Sequence, residues 1–257
     1  HVLTMTGKIS SDFIEADGAV EKVDQGTLIL NNDSSDFTGR FHVNSGFAKV
    51  TSIGNIGEAS AIGAANFSDF HIRLGSGGTD AAPLENSGTL SYIGDSDEST
   101  DRIVRIGNSG NTQGAPGSNG GATISNDSPN DSSLRFTNAI FNDPEDTSTN
   151  RISARQLSLE GTSTATNTID GVISDNFTGV IIDETVSVNV NTSGTWRLNG
   201  ENTYTGNTTI SAGILEFNSI VDAGSGQSSS LGDAGSLKTL QIGGDSTSAT
   251  LRMIGTN

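Results

Sequence analysis

The chain has 257 residues, of which 32% are hydrophobic and 5% aromatic, and its 30 acidic and 13 basic side chains give a formal net charge of −17. Because so acidic a surface repels phosphate backbones and anionic membranes, the composition argues against nucleic-acid binding. The absence of cysteine excludes disulfides and thiolate metal sites. This suits a cytosolic protein, and equally an exported protein that crosses a pore unfolded. No run approaches the ~18 apolar residues of a membrane-spanning helix.

In chain order, the apolar residues lie in short alternating runs bounded by Gly, Asn and Asp, which predicts many short strands with tight turns. In RFHVN, Phe41 and Val43 share a side opposite His42. Towards the C-terminus, Leu215 and Phe217 alternate in the same way in ILEFN. Because no window shows sustained helical spacing with caps, the sequence predicts an all-β fold whose strands bury one side.

One pattern occurs twice, as GTLILNNDSSDFTGRFHVNSGFAKV (residues 26–50) and GTWRLNGENTYTGNTTISAGILEF (residues 194–217). Six landmarks keep their order in the two copies, including the corner glycines, which pair as Gly26 with Gly194, Gly39 with Gly206, and Gly46 with Gly213. Such self-similarity predicts a tandem array. We assign unit 1 to residues 1–164 and a truncated unit 2, continuous with it, to residues 165–257. The chain is then expected to be a fragment of a longer array.

A repeated set of short strands favours a solenoid over a sandwich, which closes on itself within roughly 100 residues. Coils of ~20–25 residues predict about ten to twelve coils and a length of roughly 50 Å. Leu28 and Trp196 occupy equivalent positions, so both are expected to be buried. Asn31 and Asn199 each close an apolar strand, and they are candidates for asparagine ladders between coils.

The stretch LNGENTYTGNTTISAGILEF resembles the autotransporter-associated β-strand repeat, also called the passenger-associated transport repeat. That repeat consists of an apolar strand, Asn-Thr-Tyr-Thr-Gly, a Thr-Thr pair, a Ser-Ala-Gly corner and a second apolar strand. The upstream copy is more degenerate, with Phe37 at the position of Tyr204. The resemblance implies a right-handed parallel β-helix in an extracellular cell-surface passenger, exported across an outer membrane by a β-barrel outside this chain. It also implies a structural role as a shaft, adhesin, or matrix or fibre component.

Candidate catalytic residues are few. The only histidines are His1, His42 and His71, and no serine stands in a G-x-S-x-G setting. Asp101, Arg102 and Arg105 could form the acid and arginine groove of a lyase-like β-helix, but the apolar residues between them indicate an ordinary strand. We therefore predict no enzymatic activity, and no catalytic or cofactor-binding residue.

Two acidic loops could offer oxygen ligands to Ca²⁺, which takes six to eight of them. The first, GDSDESTD, contains Asp95, Asp97, Glu98 and Asp101; the second, FNDPEDTSTNR, contains Asp143, Glu145 and Asp146. Solvated surface corners are the preferred interpretation, so no metal ligand and no cofactor is predicted. The Gly-rich run of residues 107–121 lacks the GK[ST] ending of a phosphate-binding loop and is interpreted as a flexible loop.

Two other functions are kept open. A β-helical carbohydrate-active enzyme or glycan-binding module requires a groove lined with exposed aromatic side chains. Because Trp196 and Tyr204 align with Leu28 and Phe37, they are expected in the core and not on such a groove. A self-assembling fibre or sheath subunit would pair exposed strand edges head to tail. The expected partners are therefore further copies of the chain and a surface glycan or matrix, without nucleic acid.

Overall fold

The computed structural model describes residues 1–11, 19–66, 71–75, 87–107, 121–142, 153–175, 184–222, 225–233, 238–244 and 247–255. The strands in these ranges are β1 (Val2–Met5), β2 (Val20–Lys22), β3 (Thr27–Leu30), β4 (Phe41–Val43), β5 (Gly46–Val50), β6 (Ile72–Leu74), β7 (Gly88–Tyr92), β8 (Glu98–Thr100), β9 (Val104–Ile106), β10 (Ala122–Asn126), β11 (Leu134–Phe136), β12 (Ile140–Asn142), β13 (Ser153–Gly161), β14 (Thr166–Ile169), β15 (Ile173–Ser174), β16 (Glu184–Leu198), β17 (Thr208–Phe217), β18 (Leu240–Ile242) and β19 (Ala249–Met253). No helix occurs in these ranges, and hence none that is long and apolar enough to cross a membrane.

The strands pair in parallel and stack in three columns, which confirms the predicted parallel β-solenoid. Stack 1 contains β1, β3, β5, β7, β10, β13, the first halves of β16 and β17, and β18. Stack 2 contains β8, β11, β14, the second halves of β16 and β17, and β19. Stack 3 contains β15, β12, β9, β6, β4 and β2 as a separate six-stranded sheet. Because β16 and β17 each turn a corner between stacks 1 and 2, those two stacks form one 13-stranded sheet.

The coils differ in length more than the sequence predicts. Thr27 lies opposite Phe47, and Phe47 lies opposite Thr89, so one coil has 20 residues and the next has 42. In the described ranges stack 1 is nine strands deep, which at ~4.8 Å per spacing gives a length of about 38 Å. The expectation of ten to twelve coils and about 50 Å was wrong, because extra segments between strands, such as residues 53–66, lengthen individual coils.

The core lies between the three stacks and is filled by alternate residues of strands such as β3, β4 and β11. Leu28 and Trp196 are both buried, as their equivalence in the two copies predicts. Phe37 and Tyr204 are buried as well, so neither aromatic position is a platform for a sugar. The indole Nε1 of Trp196 donates to the carbonyl oxygen of Glu160 at 3.1 Å, which satisfies its only polar atom.

Each copy of the repeat closes one turn of the solenoid. In the first copy Thr27 pairs with Phe47 in stack 1, and in the second Thr195 pairs with Ile214 in stack 2. The two copies therefore make the same coil but begin on different stacks, one third of a turn apart. The boundary between residues 164 and 165 stays a prediction; the large sheet passes through this region, because β14 pairs with both β11 and β16.

The corner glycines are required for two physical reasons. Gly46 and Gly213 have φ of +71° and +81°, in the left-handed region that side chains disfavour. A Cβ at Gly213 would also lie 2.4 Å from the carbonyl oxygen of Thr192 in the coil below. Gly206 lies outside the left-handed region, but a Cβ added to it would lie 2.4 Å from the carbonyl oxygen of Val186. Close approach of successive coils thus selects glycine at these corners.

Candidate functional site

The acidic corner of residues 94–101 is hydrogen-bonded to neighbouring coils. Asp97 Oδ1 accepts from the main-chain N–H of Ser133 at 2.7 Å and from its hydroxyl at 2.9 Å, and these hydrogen bonds lower the pKa of Asp97. Glu98 Oε1 accepts from the N–H of Ile53 at 2.9 Å and of Gly54 at 2.7 Å. These carboxylates fasten one coil to the next, so the interpretation of a merely solvated corner was incomplete.

Asp101, at the end of this corner, behaves in the same way, because its Oδ1 accepts from the N–H of Ile56 at 2.7 Å. Within the described ranges, no group of three or more acidic or histidine side chains could hold a metal ion. The second acidic loop, with Asp143, Glu145 and Asp146, lies outside the described residues, as does most of the Gly-rich run of residues 107–121. The absence of a bound metal or cofactor stays a prediction.

Arg102 is a structural residue and not part of a catalytic groove. Its side chain is fully buried, and its guanidinium donates to the carbonyl oxygens of Gly54 at 3.1 Å, Glu58 at 3.0 Å and Gly63 at 2.7 Å. Burial lowers the pKa of Arg102 to about 10. Arg105 is buried too, and its guanidinium lies 5.5 Å from the centre of the Phe141 ring.

The described histidines also have structural contacts. Nδ1 of His71 accepts from the main-chain N–H of Ile103 at 3.1 Å, which fixes the ring against the next coil. His42 lies on the outward side of β4, where its Nδ1 is 3.4 Å from Oε1 of Glu21. His1 lies at the start of the chain beside Gly26, and a Cβ added to Gly26 would lie 3.0 Å from the carbonyl oxygen of His1.

Amide ladders connect the coils at two corners. Asn199 donates to Asp170 at 2.6 Å and accepts from Asn218 at 2.9 Å, which confirms the ladder expected there. A second, buried pair was not predicted from the sequence: Asn126 donates to Oδ1 of Asn167 at 2.6 Å. The side chain of Asn31, the other candidate, is exposed.

A cleft of about 290 Å³ lies on the outward side of stack 1 and crosses five strands. One register row along its length, which we call the polar row, consists of Lys49, Ser91, Ser125, Glu160 and Asn191. At ~4.8 Å per strand, Lys49 and Glu160 are separated by about 14 Å. The parallel register of stack 1 therefore produces a polar groove, with one basic end, out of residues far apart in sequence.

Asp127 also lines this cleft. Its Oδ2 accepts from the hydroxyls of Ser91 at 2.7 Å and Ser125 at 2.9 Å, and its Oδ1 accepts from the N–H and hydroxyl of Thr162 at 3.1 and 3.2 Å. Burial alone would raise the pKa of Asp127, but these four hydrogen bonds outweigh it and lower the pKa. Beside it, burial and then the charge of Asp127 raise the pKa of Glu160.

A larger cleft of about 610 Å³ lies beside β1 and β2. Its one lysine, Lys22, donates to the carbonyl oxygens of Val23 at 2.6 Å, Asp24 at 2.5 Å and Ser45 at 3.1 Å. Since all three protons of this ammonium are already used, the larger cleft offers less polar chemistry to a ligand than the cleft on stack 1.

Comparisons with known proteins agree with this architecture. The family model of the passenger-associated-transport-repeat matches residues 20–47 and 193–217, which overlap the two copies of the repeat. The chain is 32% identical over 170 residues to the adhesin BmaC autotransporter of Brucella suis biovar 1 (strain 1330). That alignment covers 66% of this chain and 4% of the relative, so the chain spans a small part of the relative's length. No solved structure matches. The chain is therefore a segment of a surface-exposed autotransporter passenger that contains passenger-associated transport repeats.

Proposed function

We propose that this segment is a shaft of a cell-surface adhesin, exported across the outer membrane, which holds adhesive surfaces away from the cell. The observation that supports this function best is the continuous parallel stacking of coils from β1 to β18, since every coil adds length to the same rod. The name of the similar protein, an adhesin, points in the same direction. In a solenoid each coil contacts mainly its neighbours, so length can be gained without redesigning the core.

The polar contacts of the segment also suit a load-resisting shaft. Carboxylates on one coil accept from the next at several levels, as Asp33 does from Thr51 at 2.6 Å and Asp175 does from Thr205 at 2.6 Å. The acidic composition then has a structural use, because these groups fasten coils laterally while keeping the outside hydrophilic. Self-association and contact with a surface glycan or matrix belong to the same proposal.

The test is an in-frame deletion of the segment from the passenger that contains it, with an epitope tag placed N-terminal to it. A shaft predicts that the tag is still displayed on intact cells, and that the surface filament seen by electron microscopy shortens by about 38 Å. As the control, a disordered linker of equal length is inserted elsewhere in the passenger and then deleted. Unchanged filament length, or a segment inaccessible to antibody on intact cells, would overturn the proposal.

A further inference from the structure

The cleft on stack 1 has polar groups that the fold leaves unused. Asp127 is saturated by four hydrogen bonds, whereas the carboxylate of Glu160 accepts none within the part of the chain that the structure describes. Lys49, at the other end of the polar row, likewise makes no hydrogen bond or ion pair with a described residue. A half-buried acceptor and a partly exposed donor on one groove are groups that a ligand could satisfy.

The same cleft contains an exposed aromatic ring. Phe47 is 46% exposed, and among the large apolar side chains exposed in the described ranges it is the only aromatic one. It stands on β5 near Lys49, and Thr89 is its neighbour on β7. Exposing a phenylalanine costs apolar burial, and here the ring lies beside hydrogen-bonding groups instead of in the core. An apolar plate next to a few fixed polar groups is the usual composition of a small-ligand site.

The charges of the cleft select the ligand. Asp127 and Glu160 outweigh Lys49, so the site disfavours phosphates, sulfates and acidic sugars, as does the net charge of −17. A hydroxyl-rich neutral molecule has the required groups, since each hydroxyl both donates to a carboxylate and accepts from an ammonium or amide. Its length can follow the groove, which crosses five strands.

We propose that this cleft binds a short neutral oligosaccharide. Sugar hydroxyls donate to Glu160 and accept from Lys49 and the amide of Asn191, and the apolar side of one sugar ring packs on Phe47. The inference rests on the proposed adhesin function only for its biological use, because it assigns to the shaft a ligand-binding surface of its own. Binding is expected to be weak at one cleft and to become effective through repetition on a long protein.

The experiment is titration of the 257-residue chain with chitotriose, cellotriose and maltotriose, followed by amide NMR. At least one sugar is expected to give saturable shifts around Phe47 and Glu160 at concentrations of about 10 mM. Phe47→Ala and Glu160→Gln should each weaken that binding about tenfold, since each removes one contact without touching the core. The matched controls are Ile220→Ala, which truncates an apolar side chain exposed to 53%, and Glu201→Gln, which neutralises an exposed acid elsewhere.

Three outcomes would overturn the assignment: no saturable shift with any of the sugars, equal affinity in the cleft variants and the controls, or shifts at the cleft on adding CaCl₂ alone. The last result would identify a cation site instead. Because binding is measured on the isolated chain, a negative result leaves the shaft proposal standing. Conversely, a segment that binds the sugar but fails to shorten the filament on deletion would refute the shaft and keep the binding site.

Discussion

Nη2 of Arg102 lies 2.7 Å from the carbonyl oxygen of Gly63, a residue 39 positions earlier in the chain. The same guanidinium reaches the carbonyls of Gly54 and Glu58, so one buried side chain gathers the segment of residues 54–63 into a fixed loop beside stack 2. The carbonyl oxygen of Gly54 also accepts from the hydroxyl of Thr100 at 2.6 Å, and that of Gly63 from the hydroxyl of Ser60 at 2.8 Å, so the guanidinium is a second, charged donor to this loop. A charged group in the interior is retained here because it satisfies several main-chain oxygens at once.

Arg102→Met should therefore lower the free energy of unfolding by about 2–4 kcal/mol, since three main-chain oxygens each lose a charged donor. Hydrogen exchange should show lost protection concentrated in residues 54–63, because damage in a solenoid is local. The control is Arg135→Met, which removes an exposed arginine paired with Asp170 at 2.5 Å and should cost less than about 1 kcal/mol. Similar losses in the two variants would contradict the role assigned to Arg102.

The contact of Asp97 with Ser133 predicts a pH dependence. Hydrogen bonds from Ser133 lower the pKa of Asp97 in the folded state below its unfolded value of about 3.9. A lowered carboxyl pKa contributes stability that is present above the unfolded pKa and lost as the pH falls through the folded pKa. The stability difference between the wild type and Asp97→Asn should accordingly shrink on acidification below about pH 4, as measured by urea unfolding. Asp95→Asn, on the same corner, is the matched control, because the carboxylate of Asp95 accepts no hydrogen bond from a described residue.

Lys238 predicts a dependence of the same sign in the alkaline range. Its ammonium lies 3.8 Å from the centre of the Tyr204 ring, and burial lowers its pKa to about 8, against the opposing charges of Asp175 and Asp233. The charged form is thus less favourable in the folded than in the unfolded state, where the pKa is about 10.4. Stability should rise as the pH increases from about 8 towards 10, before the tyrosines ionise.

Thermal unfolding of wild type and Lys238→Met over this pH range would measure the effect. The substitution should flatten the pH dependence while keeping the apolar stem against Tyr204. Lys8→Met, which removes an exposed lysine paired with Asp36 at 2.5 Å, is the control for the loss of a lysine at the surface. An unchanged slope in Lys238→Met would show that another group is responsible.

Local pattern predicted much of the fold. The burial of Phe41 and Val43 was predicted from their alternation, which is a pattern of neighbouring residues. The burial of Leu28 and Trp196 was predicted from their equivalent positions in the two copies of the repeat, and it is observed as well. Coil length could not be predicted, because a segment such as residues 53–66 contains no strand and gives no periodic signal. Because the coils have unequal lengths, the two copies of the repeat begin one third of a turn apart.

The polar contacts between coils could not be predicted from the sequence, for a related reason. Glu98 accepts from the N–H of Ile53, which precedes it by 45 residues, and nothing near Glu98 in the sequence identifies that partner. The cleft on stack 1 likewise joins Phe47 to Glu160 through the register of successive coils. Only an alignment of the coils, with their unequal insertions already placed, could have put these residues on one surface.

Gly213 provides the sharpest test of coil-to-coil packing. It combines a φ of +81° with a Cβ position 2.4 Å from the carbonyl oxygen of Thr192, so a side chain there would be both strained and in collision. Gly57 separates the two effects, since it has a φ of +75° and a Cβ added to it would meet nothing within 4 Å. Gly57→Ala should cost only the left-handed strain, about 1 kcal/mol, whereas Gly213→Ala should cost clearly more because the coils must also move apart.

Gly213→Val adds a branched side chain and should loosen the coils around residues 205–220 while leaving the equivalent coil around Gly46 intact. The reason is that the stability of a solenoid is a sum of terms between neighbouring coils. Hydrogen exchange on this variant distinguishes the alternatives, with protection compared between the two copies. Loss of protection confined to the second copy is expected. A uniform loss in both copies would mean that the chain unfolds as one cooperative unit, and the modular shaft would then lose its physical basis.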